Sequence, residues 1–278
     1  MSDPGAHGVA IVADKVGVCY DLRLTRYRTV RRSFSDWLHG LPEQRQRGST
    51  KFWALRSVSF VVRPGEILGV IGRNGSGKTT LLLTIAGILQ PDRGRIATFG
   101  HTSALLSLGI GFETEATGLE NIYLNGAFLG LSQRQIDAKL DEIVAFSELG
   151  PFLDAPLRTY SSGMLQRLGF SVAAHIEPDI LLLDEVLGVG DAAFQAKCVA
   201  KLEDLIDKAS AIVVVTHSTQ FVLEKCSQAL WLHEGTVAEF GDPSETVERY
   251  IREIPWLDGP VRQVEPETAA ARPVQRPA

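Results

Sequence analysis

The stretch Gly72-Arg73-Asn74-Gly75-Ser76-Gly77-Lys78-Thr79-Thr80 carries the plainest chemistry in this chain. Its glycines let backbone amides turn toward an anion without Cβ clashes. An apolar strand pattern, "GEILGVIG", leads into it, and a helix pattern, "GKTTLLLTIAGIL", leads out and stops at "QPDRG". The helix N-terminus adds partial positive charge at the same point. Gly72, Gly77, Lys78 and Thr79 fit the spacing G-x-x-x-x-G-K-[ST], which cradles a polyphosphate. In that arrangement Lys78 reaches the β- and γ-phosphates, and the Thr79 hydroxyl holds Mg²⁺.

Two further stretches read as buried strands ending in polar groups. "DILLLDE" places Asp184 at a strand's C-terminal end, where open α/β sheets bind ligands, and Asp184 is suited to Mg²⁺. Glu185 follows directly, where a carboxylate polarises an attacking water. "AIVVVTH" ends at His217. A lone histidine is commonly structural, but at a strand end beside a phosphate loop it is placed to contact the γ-phosphate.

The elements that must hold these groups alternate between strand and helix. That pattern predicts an α/β P-loop NTPase with a mainly parallel sheet core. Residues 9–20 and 53–62 read as antiparallel strands, forming an antiparallel β subdomain. Residues 118–149 read as two helices broken at "GLS", with Ser132 as N-cap. They belong to an inserted α-helical subdomain over 113–176, between core segments 9–112 and 177–256. From residue 257 to 278 the Pro- and Ala-rich sequence predicts a disordered tail.

Composition sets the outer bounds. The chain has 278 residues, 45% hydrophobic, enough for a sizeable core. A net charge of −5 argues against a general nucleic-acid binder. No apolar run approaches the roughly 20 residues of a membrane span, and "MSDPGAHG" lacks a secretion pattern. Cys19, Cys198 and Cys226 are far apart and read as reduced packing residues of a cytosolic protein.

"YSSGM", residues 160–164, opens another helix pattern. Two serines and a glycine there serve as a helix cap, or as half of a nucleotide site, or as both. With "GRNGSGKTT", "ILLLDE" and "VVVTH" in this order, the chain resembles an ABC-transporter ATPase subunit up to about residue 256. In that family a motif usually written LSGGQ closes ATP onto the phosphate loop of a second subunit. Ser161 and Gly163 match it; Ser162 replaces a glycine, Met164 the glutamine and Tyr160 the leucine.

The resemblance therefore implies a head-to-tail homodimer. ATP and Mg²⁺ would be held by Gly72, Arg73, Asn74, Gly75, Ser76, Gly77, Lys78, Thr79 and Thr80 of one chain and by Ser161, Ser162 and Gly163 of the other. It places Asp191 in the loop that crosses the interface, and Tyr20 as the aromatic stacked on adenine. Tyr20 also reads as a half-buried strand residue, with Trp53 as the competing aromatic. Glu113 falls about where the family has a glutamine, and carries no firm role.

"GLENIYLNGAFLGLS" and "AAHIEPDILLLDEVLGVGDAAFQAKC" look like the ATPases that export O-antigen, teichoic acid, capsule and galactan. The implied setting is the cytoplasmic face of the inner membrane, with a separate transmembrane channel subunit and a lipid-linked glycan cargo. An ABC ATPase for another transported substrate, or one outside transport, is the alternative.

One segment reverses the chain's acidity. Residues 21–51 hold seven Arg and Lys51 against Asp21, Asp36 and Glu43, a local charge of +5. Val30, Phe34, Trp37, Leu38 and Leu41 fall on one helical face, with Arg28, Arg31 and Arg32 off it. Such a helix lies at an anionic membrane surface, each basic group contributing about 1 kcal/mol, or packs on its own domain with a solvated basic side. Replacing Arg28, Arg31 and Arg32 by Gln should leave basal ATP hydrolysis intact. It should weaken binding to anionic vesicles in a salt-dependent way, since exposed charges are screened within about 10 Å at 0.1 M salt. Vesicle binding that is indifferent to these changes would leave only a solvated surface helix.

Overall fold

The computed structural model describes residues 8–21, 51–105, 111–184 and 191–253. Glu185, the tail from 254 and all but the ends of the basic segment lie outside them. Two sheets form the framework. In the first, β1 (Ile11–Asp21) lies between β2 (Lys51–Val62) and β4 (Arg93–Thr98), antiparallel to both. β2 alternates as a half-buried strand does: Val58, Phe60 and Val62 turn inward while their neighbours face out. Asp21 pairs with Lys51, so both ends of the basic segment are strand residues.

The second sheet has the order β5-β6-β7-β3-β8-β9. Its strands are β3 (Ile67–Ile71), β5 (Thr102–Leu105), β6 (Ile180–Leu183), β7 (Ala211–Val215), β8 (Gln228–His233) and β9 (Thr236–Gly241). All neighbours are parallel except β9, which returns antiparallel to β8. β6 and β7 are apolar throughout because both faces are covered. One face packs Leu182, Val213, Val215 and Leu68 on the first sheet and on Leu81 and Leu82 of α1 (Lys78–Ile85). The other packs Leu181, Ile212 and Val214 on Phe170 of α4 (Ser162–Ala173) and Phe194 and Leu202 of α5 (Ala192–Lys208). This is the α/β class expected from the motifs.

α1 is shorter than its sequence pattern, which runs on to Leu89. It stops at Ile85 because Gly87 takes φ +74° and folds the chain back. The amide of Ile88 then donates to Leu83 O and that of Gly87 to Thr84 O, the paired bonds that close a helix on a left-handed glycine.

α2 (Gly118–Phe128), α3 (Gln133–Ser147) and α4 share a core of their own around Ile122, Ile136, Ile143 and Leu168. Reciprocal caps start the first two: Thr117 with Glu120, and Ser132 with Gln135. Two more α-helices follow among the described residues, α6 (Thr219–Lys225) after β7 and α7 (Pro243–Glu253), packed by Val247 and Tyr250 on Trp231.

Cys198 is buried in α5, and Cys226 closes α6 against Gly69 of β3. Burial pushes the Cys198 thiol up to about 11 and that of Cys226 to about 12. At pH 8 neither is a thiolate to any useful extent. An alkylating reagent should therefore modify both roughly 100-fold or more slower than a free thiol until denaturant is added. Rapid labelling of either in the native chain would place it outside the packed interior.

Candidate functional site

The order β6-β7-β3 brings three strand ends together. β3 runs into the glycine loop, β6 into Asp184, and β7 through Thr216 to His217. A cleft of about 430 Å³ opens over them, lined by Asn74, Gly75, Gly77, Lys78, Thr79, Thr80, Asp184 and His217. Tyr20 and Phe52 form its outer wall.

The loop's shape depends on two glycines. Gly77, the N-cap of α1, has φ +106°, and a Cβ there would lie 2.5 Å from Ala54 O. A Cβ on Gly72 would lie 2.3 Å from Leu232 O. The loop thus sits directly on the backbone of β2 and β8. Lys78 is 7% exposed, and its Nζ donates to Gly72 O at 2.7 Å and Arg73 O at 3.0 Å. Those carbonyls fix the ammonium beside the loop. The Ser76 hydroxyl is buried against the same turn without a hydrogen-bond partner among the described residues. A tight amide-rich turn with a held cation and a spare hydroxyl fits a polyphosphate.

Gly72, Arg73 and Ser76 build this loop without lining the cleft. Glu185 follows Asp184 in sequence but lies outside the described residues. Glu113 does not line the cleft; its carboxylate accepts from the Glu115 amide at 3.2 Å, and its backbone is held by Asn121.

The aromatic wall differs in part from the sequence expectation. Tyr20 lines the cleft, 39% exposed, and its cross-strand partner is Phe52, 49% exposed. Trp53, the competing aromatic, is not on the cleft. Strand alternation turns it away, where it lies under Arg93 (4.6 Å from guanidinium to ring centre) and against Gly17. Phe52 escaped the sequence reading because β2 starts two residues earlier than the clear alternation at 53–62.

Ser161, Ser162 and Gly163 do not join this cleft. Ser161 caps α4, its Oγ accepting from the Met164 amide at 3.2 Å, and Ser161 and Ser162 are exposed. Tyr160 is a buried strut whose hydroxyl donates to Phe152 O at 2.7 Å. Asp191 caps α5 by accepting from the Phe194 amide at 2.9 Å. That bond holds its carboxyl below the usual range, against partial desolvation and with help from Arg167.

Residues 55–188 match the model of the ABC transporter family. An O-antigen export system ATP-binding protein, RfbB, of Klebsiella pneumoniae is 45% identical over 200 residues, 72% of this chain and 81% of that protein. The chain belongs to the ABC transporter family. RfbB of Myxococcus xanthus is 45% identical over 228 residues, 82% of this chain but 52% of that protein. The teichoic acids export ATP-binding protein TagH of Levilactobacillus brevis is 45% identical over 75% of this chain and 57% of its own. The chain thus spans about half the length of these last two relatives. Among solved structures, the ATP binding subunit of an ABC transporter superposes with a TM-score of 0.62 at 21% identity, over 87% of this chain and 93% of that one. A dimeric post-hydrolysis ATP-binding cassette bound to ADP and Pi gives 0.60 at 19%, over 84% and 98%. Both carry the ABC ATPase fold described here.

The paired aromatics predict a base contact that Tyr20 does not make alone. Tyr20→Ala and Phe52→Ala should each weaken ATP binding by about 1–3 kcal/mol, the range for a stacked base. Inorganic triphosphate, having no base, should bind both variants as it binds the parent. Unchanged ATP affinity for Phe52→Ala in a direct titration would remove Phe52 from the base wall.

Proposed function

We propose that this chain is the ATP-hydrolysing subunit of an exporter, energising the passage of a lipid-linked cell-surface polysaccharide through a separate membrane subunit. The export relatives support the cargo, and among the described residues no helix is long and apolar enough to cross a membrane. The basic segment is the candidate for contact with anionic lipid at the cytoplasmic face of the inner membrane.

One observation carries the catalytic reading. The cleft gathers the loop, Asp184 and His217, while the Ser161–Gly163 helix start stands outside it. An exposed helix start of that kind is free to meet the cleft of a second copy. In this homodimer Tyr20 and Phe52 hold the base, Lys78 the β- and γ-phosphates, and His217 the γ-phosphate. Thr79 and Asp184 supply hard oxygen ligands suited to Mg²⁺, which when bound neutralises phosphate charge. Glu185 orients the attacking water. Ser161, Ser162 and Gly163 of the partner close over the γ-phosphate with amides, a hydroxyl and the α4 N-terminus.

The cap geometry supplies a clean test. Ser161→Asp keeps an N-cap acceptor, so α4 and the fold should stand. It sets a carboxylate against the expected phosphate. The variant should bind ATP at its own loop yet neither dimerise with ATP nor turn over. Mixed with Lys78→Ala chains, it should regain one working site per heterodimer. A mixture that stays inactive while heterodimers form would end the shared-site reading.

A further inference from the structure

Arg167 stands four positions after Gly163 on α4, hence on the same helical face. Its side chain is only 19% exposed and joins three segments. Nη1 donates to Glu148 Oε2 at 3.0 Å, and Nη2 donates to Asp191 Oδ2 at 2.5 Å. The guanidinium lies 4.8 Å from the centre of the Phe194 ring, which is 1% exposed. Lys197 of α5 closes the circuit: its Nζ donates to Glu148 Oε1 at 2.8 Å and to Phe146 O at 3.1 Å.

Isolated surface pairs contribute little to stability. This arrangement is different in kind, because one guanidinium bridges two carboxylates from different segments over a buried aromatic face. Glu148 adds a second sign of construction. It ends α3 at φ +59°, a left-handed position where glycine or asparagine is usual. A glutamate held there has its carboxylate in use, and surrounding contacts must keep it in place. Hydrogen bonding from Lys197, with Arg167 adding, holds that carboxyl below its usual range.

We propose that Arg167 is a positioning residue that fastens the Ser161–Gly163 start of α4 to the Asp191 start of α5, so that the two segments approach a partner chain as one piece. This rests on the shared-site reading above and names what sets its geometry. Arg167 itself does not line the cleft. Neither helix cap needs it: Ser161 bonds to Met164 and Asp191 to Phe194 within their own turns. Removing Arg167 leaves both helices started and loosens only their relative placement. The loss therefore falls on assembly of the dimer and not on nucleotide binding to one chain.

The test uses the full chain carrying Glu185→Gln, which on the reading above should bind ATP without turning it over. ATP-dependent dimerisation is measured by sedimentation, and ATP affinity at concentrations below dimer formation, for Arg167→Gln, Asp191→Asn, both together, and Arg167→Lys. Asparagine still caps a helix, so within the chain Asp191→Asn removes the ion pair with Arg167 and keeps the cap. Each single change should weaken dimerisation by about tenfold, and the double change by no more than the worse single one. ATP affinity of the single chain should stay within about twofold. Arg167→Lys should recover part of the loss, since an ammonium cannot bridge both carboxylates in one plane. Parent-like dimerisation of the singles, or losses that multiply in the double, would overturn the proposal. If Arg167→Gln does not fold, Asp191→Asn decides alone, and parent-like dimerisation overturns it. If the Glu185→Gln parent forms no ATP-dependent dimer, the shared-site reading itself falls and takes this inference with it.

Discussion

A parallel strand covered on both faces can place polar chemistry only at its ends. β6 and β7 are apolar along their whole length, so Asp184 and His217 appear at the first positions where the chain escapes the core. β3, beside β7, escapes at Arg73, one residue into the glycine loop. One rule of burial thus delivers an acid, an imidazole and a glycine loop to the same edge. Strand order then decides that they are neighbours. Had β6 or β7 stood elsewhere in the sheet, the same three motifs would be present and would do nothing together.

The loop itself meets a second constraint. It must expose amides to an anion while resting on the backbones of β2 and β8. Gly72 and Gly77 satisfy both because a side chain at either would strike a carbonyl. Lys78 answers the opposite problem, a cation taken out of water. Two loop carbonyls receive its ammonium, so its charge is already held against the amide-rich turn.

The phosphate loop, Asp184, His217 and the helix starts were legible because each is a local pattern with a local cause. A glycine run, an apolar strand ending in an acid and a serine before a helix pattern all report their own geometry. Features that depend on pairing were not. Phe52 faces the cleft only because its register sets it opposite Tyr20, while Trp53 next door is turned to Arg93. The end of α1 hinges on one left-handed glycine inside a sequence that otherwise reads as continuous helix. Arg167 escaped attention for the same reason. Its partners lie 19 and 24 positions away, and nothing in the helix pattern announces a guanidinium that bridges them.

α4 explains how a helix start outside the cleft can still be governed by the core. Its residues divide between two interiors. Leu168 and Val172 pack with α2 and α3, whereas Phe170, Ala173 and Ala174 pack with β6, β7 and α5. A helix gripped on two sides has few ways to move alone. A shift of the helical group against the sheet would act on α4, whose start is capped by Ser161. Asp191 is tied to the same helix through Arg167. The Ser161–Gly163 helix start, proposed as the second half of the site, is therefore set at the surface but anchored in two interiors. That combination suits a surface that has to approach a separate nucleotide, close on it and withdraw without losing its own shape.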